Sequence, residues 1–112
     1  MDIIEKTSGS VTIVSLKGRL DTTTAPEVDS RLLQMFQEGK KYMILDFSGV
    51  TYLASAGMRV LLILAKRIKG LAGRLMLTAL LPTLHDVLSI TGFLPYFEIY
   101  ETVEKAVEVM KT

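Results

Sequence analysis

The chain has 112 residues, of which 49% are apolar and 22% charged, with a net charge of +1. That describes one folded domain, long enough to bury a core without disulfides or metals, and it excludes disorder. A near-neutral balance gives no global field toward nucleic acid or anionic lipid. The absence of cysteine removes disulfides, thiol chemistry and cysteine-based zinc sites, and a single histidine excludes a histidine-rich metal site.

Cysteine usage also fits a reducing cytoplasm, which is the expected location. The start, Met1-Asp2-Ile3-Ile4-Glu5-Lys6, lacks the basic and apolar regions of a signal peptide. The longest uncharged apolar runs, 60–65 and 75–81, fall short of the ~20 residues a membrane-spanning helix needs.

In chain order, residues 3–5 and 11–17 alternate as strands around the turn-rich Thr7-Ser8-Gly9-Ser10, which predicts a hairpin with Gly9 at positive φ. Gly18-Arg19-Leu20-Asp21 closes the second strand. Thr24 and Glu27 have capping-box spacing and Pro26 suits a first turn, so a helix follows. Val28, Leu32, Met35 and Phe36 form its apolar face, and Gly39 stops it.

Residues 42–47 read as a strand buried on both faces, hence central and parallel. Residues 48–54 have loop composition. A second helix is predicted over 56–69, apolar nearly all round, with Arg59, Ile63, Lys66 and Gly70 on its exposed stripe. A strand over 74–79, a short helix over 82–92, a short strand over 97–100 and a helix after Thr102 complete the chain. The order β-β-α-β-α-β-α-β-α predicts an α/β fold: a single domain spanning 1–112, with about five strands in a mixed, mostly parallel sheet and about four helices.

In open α/β sheets, ligands and partners meet the carboxyl ends of the strands. Residues 21–24, 48–57 and 80–83 are predicted there. The stretch 48–58, Ser-Gly-Val-Thr-Tyr-Leu-Ala-Ser-Ala-Gly-Met, is the most informative. Ser55 precedes a helix, so its hydroxyl is placed to accept first-turn N–H groups as an N-cap. Small neighbours, Ala54, Ala56 and Gly57, leave it uncrowded. The helix start offers about half a positive charge, which would favour an added phosphate. Asp46 is expected to accept backbone N–H groups of its loop, since the early strand exits give Ser8-Gly9 and Asp21 alone rather than the acidic pair a receiver domain needs. His85 reads as a solvated histidine.

The segment Asp46-Phe-Ser-Gly-Val-Thr-Tyr-Leu-Ala-Ser-Ala-Gly-Met-Arg-Val-Leu-Leu resembles the pattern of STAS domains, the family of bacterial anti-sigma factor antagonists. Gly18-Arg19-Leu20-Asp21 followed by Thr24-Ala25-Pro26 resembles that family's second-strand exit. The resemblance covers essentially the whole chain. It implies a non-enzymatic protein–protein switch acting in transcription regulation. The unphosphorylated domain would bind an anti-sigma factor that is itself a serine kinase of the histidine-kinase-like ATPase fold, and so free a sigma factor. Phosphorylation at the serine matching Ser55 would end the binding, and a metal-dependent serine phosphatase would reverse it.

No cofactor of the domain itself is implied; the kinase would use ATP and Mg. The partner-binding set implied is Asp21, Thr22, Thr23, Leu53, Ala54, Ala56, Gly57, Met58 and Arg59, with Leu53, Ala54, Ala56 and Met58 supplying apolar contact area. The pattern's acidic residue just before the phosphoacceptor is Ala54 here. That departure motivates an alternative, a STAS-type ligand-sensing or scaffold subunit not controlled by a kinase. A small hydrolase or phosphatase would need a glycine-rich phosphate loop or metal-binding carboxylates, and neither occurs. Oligomeric state is left open by the sequence.

Overall fold

The computed structural model describes residues 1–111. Strand β1 (Asp2–Ser8) pairs antiparallel with β2 (Val11–Leu20), and Ser8 lies opposite Val11 across a two-residue turn. Gly9 takes the positive φ, +61°, that this turn demands. Helix α1 (Ala25–Gln37) leads to β3 (Tyr42–Leu53), α2 (Ser55–Gly70) to β4 (Arg74–Thr78), and α3 (Pro82–Ile90) to β5 (Glu98–Tyr100) through a 3₁₀ turn at Leu94–Tyr96. Helix α4 (Val103–Met110) ends the fold.

The five strands lie in the order β1-β2-β3-β4-β5, and every pair after the hairpin is parallel. Each crossover therefore steps the same way across the sheet. Right-handed connections put α1, α2 and α3 on one face, where Leu32, Phe47, Leu61 and Leu88 share the larger core. Helix α4 covers the opposite face, packing Ala106 against Val11, Ile44 and Met76. Strand β3 is central, with Met43, Ile44, Leu45 and Phe47 fully buried, as its continuous apolar run predicts.

Three local expectations are corrected. Residues 48–53 are not a loop but the second half of β3. They pair with the end of β2 from Lys17–Gly49 to Leu20–Leu53, across register shifts at Lys17 and Arg19. Gly18, at φ +123°, carries β2 through this irregular stretch. The Ser-Gly composition that suggests a loop marks a bulged ladder instead. The capping box at Thr24 and Glu27 does not form. Thr24 Oγ1 is engaged backward, donating to the Arg19 carbonyl at 2.7 Å and accepting from the Asp21 amide at 3.0 Å. Finally, β5 begins one residue later than expected and is preceded by the 3₁₀ turn.

Other expectations hold. Helix α1 closes with Gly39 at φ +88°, the Gly39 amide reaching Phe36 O and the Lys40 amide reaching Met35 O. This is the Schellman arrangement. The Thr102 hydroxyl caps α4 by accepting from the Lys105 amide at 3.1 Å.

Candidate functional site

The extended β2–β3 ladder sets the geometry of the carboxyl edge. Leu20 and Leu53 are its last pair, and the Ala54 amide then donates to the Leu20 carbonyl at 2.9 Å. The two chain exits, 21–24 and 54–55, are thereby held side by side. The first exit is a compact turn built on Asp21. Its Oδ1 accepts from the amides of Thr23 and Thr24 at 3.0 and 3.1 Å, while Oδ2 lies 3.8 Å from Arg19 Nε. The Thr24 amide, foremost, holds the Asp21 carboxyl below the usual carboxylate range, helped by the Thr23 amide, the Thr24 hydroxyl and the Arg19 charge against the opposing effect of desolvation.

Ser55 is exposed, as the phosphoacceptor expectation requires. Its expected capping role is corrected. Ala54 occupies the N-cap position, Ser55 is the first helical residue, and no side-chain cap bond is made. The helix begins one residue earlier than expected, directly after Ala54, and no hydrogen bond among the described residues engages the Ser55 hydroxyl. Thr22, Thr23 and Arg59 are exposed beside it, and Ala54 and Ala56 are half-buried.

Leu53 and Met58 are corrected as contact area: they are only 5% and 6% exposed and belong to the core under the edge. They shape the surface from below. Gly57 is buried for a steric reason. A Cβ there would stand 2.5 Å from Leu20 Cγ and 3.0 Å from Leu53 Cδ1, so α2 can approach the ladder only through a glycine.

Two residues escape the sequence reading. Tyr52 is 43% exposed, and the Arg19 guanidinium lies over its ring at 4.2 Å from the centroid. The pair extends the edge surface from the Asp21 turn along β3. The signal was the alternation Tyr52-out, Leu53-in, which is visible only once 48–53 is a strand. Asp46 behaves as expected, accepting from the Ser48 amide at 2.9 Å, and Ser15 Oγ reaches its other oxygen at 3.4 Å. His85 is exposed on α3. Among the described residues, no three His, Asp or Glu side chains are grouped to hold a metal, and no helix is long and apolar enough to cross a membrane.

A mixed sheet with one leading hairpin, three helices on one face, and a small-residue helix start beside an acidic strand exit defines a STAS-type α/β domain. Residues 2–106 match the STAS domain, and the chain belongs to that family. It is 32% identical over 100 residues to BtrV of Bordetella bronchiseptica, provisionally named an anti-sigma factor antagonist, covering 89% of this chain and 86% of that protein. In structure it is similar to a provisionally assigned anti-sigma factor antagonist from Thermotoga maritima, with a TM-score of 0.94 at 22% identity over 98% of this chain and 95% of that one. It is also similar to the anti-sigma factor antagonist SpoIIAA in its unphosphorylated form, with a TM-score of 0.78 at 18% identity over 98% of both chains. These two structural likenesses concern the fold.

Proposed function

We propose that this domain is an anti-sigma factor antagonist whose unphosphorylated form binds an anti-sigma factor with serine kinase activity, releases a sigma factor, and is switched off by phosphorylation of Ser55. The observation that carries the reading is the exposed Ser55 hydroxyl, free of any capping bond, at a helix start registered beside the rigid Asp21 turn. The BtrV relative and the SpoIIAA fold, known in unphosphorylated and phosphorylated forms, support it.

The switch needs no change of backbone. Phosphorylation adds about two negative charges and a bulky group to a surface that otherwise docks flush. Burying that dianion without a partner cation, at a penalty of roughly 4 kcal/mol, weakens docking about a thousandfold. In this reading Thr22, Thr23, Tyr52, Ala54, Ala56 and Arg59 form the contact surface, and Asp21, Gly57, Leu53 and Met58 hold its shape. The domain itself uses no cofactor and catalyses nothing. The kinase supplies ATP and Mg, a metal-dependent phosphatase restores the hydroxyl, and the whole cycle runs in the cytoplasm.

The test is to incubate the protein with its cognate anti-sigma kinase and Mg·ATP, map the product by mass spectrometry, and measure binding to the kinase with ADP. One phosphoryl group on Ser55, none on Ser55→Ala, and lost binding for Ser55→Asp are expected. Modification elsewhere, or undiminished binding by Ser55→Asp, overturns the proposal.

A second reading, a ligand-sensing subunit, draws on a cavity of about 500 Å³ at the carboxyl ends of β4 and β5, floored by Leu80, Phe97 and Ile99 with His85 and Glu101 at its mouth. Ala79 stands at its rim with φ +57°, a backbone conformation that L-residues rarely hold. Together with Ala54 in place of an acidic residue, this cavity is what a kinase-independent role would use.

A further inference from the structure

Helix α2 carries Arg59, Lys66, Arg67 and Lys69, all exposed, and no acidic residue. Since the chain's net charge is +1, the rest of the molecule carries a net −3. None of these four side chains has an ion-pair or hydrogen-bond partner among the described residues, although ion pairs form elsewhere, at Arg19, Lys40 and Arg74.

At the far end of α2 from Ser55, this charge borders an apolar groove. Leu62, Ala65, Lys66 and Lys69 face Pro95 and Tyr96 across a hollow of about 310 Å³. A second hollow of about 220 Å³ shares the walls Ala65, Lys69, Pro95 and Tyr96 and continues toward Phe97 and Gly73. Tyr96 is 64% exposed, its ring resting against Phe93 at 6.5 Å between centroids, so it presents an aromatic wall to the groove. At the groove's end, Arg74 and Glu98 are bonded to each other, so Lys66 and Lys69 set its sign.

We propose that this groove docks an acidic amphipathic helix of a partner protein. The lining residues 62, 65, 66 and 69 follow the spacing i, i+3, i+4, i+7, so the groove runs along α2 for about 10 Å, two turns. The two hollows share the walls Ala65, Lys69, Pro95 and Tyr96, so they form one continuous trough into which the apolar face of a helix fits. The lysines at the rim select glutamate or aspartate on that helix's flanks and reject a basic one.

Lys66 and Lys69 lie 11 and 14 residues beyond Ser55, roughly 17–21 Å along the helix and more than twice the ~8 Å screening length at physiological salt. Phosphate on Ser55 therefore does not gate this groove. The inference goes beyond the switch proposed above: it gives the domain a second, constitutive attachment point, able to hold one partner while another is released.

The probe is a synthetic acidic amphipathic peptide of about 18 residues, with leucines on one helical face and glutamates on the other. It is titrated into the isotope-labelled protein by NMR, beside a lysine-for-glutamate version and vesicles rich in anionic lipid. Saturable shifts at Leu62, Ala65, Lys66, Lys69 and Tyr96 are expected. Affinity should fall roughly tenfold for the double change Lys66→Glu, Lys69→Glu and for Tyr96→Ala, with the fold intact because all three side chains are exposed. Ser55→Asp should bind the peptide unchanged. No saturable shift at the groove, equal affinity for the basic peptide, a loss on Ser55→Asp, or binding to vesicles but not peptide overturns the inference. None of these results bears on Ser55 as a phosphoacceptor, which the kinase assay reads separately.

Discussion

The Ala54 amide donates to the Leu20 carbonyl at 2.9 Å, one residue past the last paired position of β2 and β3. That bond fixes how far β3 runs before α2 begins. It assigns the N-cap to Ala54 and leaves Ser55 in the helix with its hydroxyl unused. A capping serine would contribute a hydroxyl bond to the helix. Here the hydroxyl makes none, and that difference can be measured.

Ser55→Ala is therefore expected to change stability by no more than about 0.5 kcal/mol, the range of surface substitutions that remove no contact. Ser55→Asp places a negative charge in the first turn of a helix that has no acidic residue there. It should stabilise by about 0.3–1 kcal/mol at low salt, through the helix dipole, while abolishing partner docking. Urea unfolding of the three proteins decides it. A loss of about 1 kcal/mol or more in Ser55→Ala would restore the capping role.

Gly57→Ala tests how the edge is held. Alanine gains up to about 1 kcal/mol of helix propensity over glycine, but its Cβ would meet Leu20 Cγ at 2.5 Å. Leu20 is fully buried and cannot swing aside. Overpacking at about 1–3 kcal/mol outweighs the propensity gain, so a net destabilisation is expected, with the Leu20–Asp21 exit displaced. Amide shifts at Asp21 and Ala54 in NMR spectra report the displacement, and a stability equal to or above wild type would contradict the close approach.

The sequence makes the element order, the central burial of β3 and the glycine stop of α1 legible, because each rests on local periodicity or turn chemistry. The site was half legible. Ser55 and Asp21 stand out by residue type and spacing. Tyr52 and the burial of Leu53 and Met58 do not, because they depend on β3 running to Leu53. That continuation comes from pairing with β2 across bulges, a non-local fact that Ser48-Gly49 composition argues against. The helix cap falls on Ala54 rather than Ser55 because Ala54 is the last extended residue, which serine's capping preference does not reveal.

Ala72 offers a stabilising change away from the site. It follows the C-cap of α2 at φ +57°, with its amide reaching Lys69 O and the next amide, of Gly73, reaching Ile68 O. This is the position where helices place glycine. A left-handed alanine costs about 1–2 kcal/mol, and glycine's extra unfolded-state freedom returns about 0.4–1 kcal/mol of that. Ala72→Gly should raise stability by about 0.5–1 kcal/mol, read from the denaturation midpoint at unchanged m-value. Gly73→Ala should do the reverse, because its Cβ would lie 2.2 Å from the Lys41 carbonyl oxygen.

The Asp21 turn carries a pH signature. Its carboxyl is held below the usual carboxylate value, first by the Thr24 amide and then by the Thr23 amide, the Thr24 hydroxyl and Arg19. A depressed native value means that the unfolded chain binds the proton more readily. The stabilisation is complete above the unfolded value, near 3.8, and is lost as pH falls through the lower native value. Stability measured from pH 5 downward should thus fall less steeply in Asp21→Ala than in wild type, with the two curves parallel above about pH 5. The turn releases its two amides when the carboxylate is protonated, so partner binding should weaken over the same acid window in wild type. Identical acid limbs for the two proteins would show that Asp21 does not hold the turn by its charge.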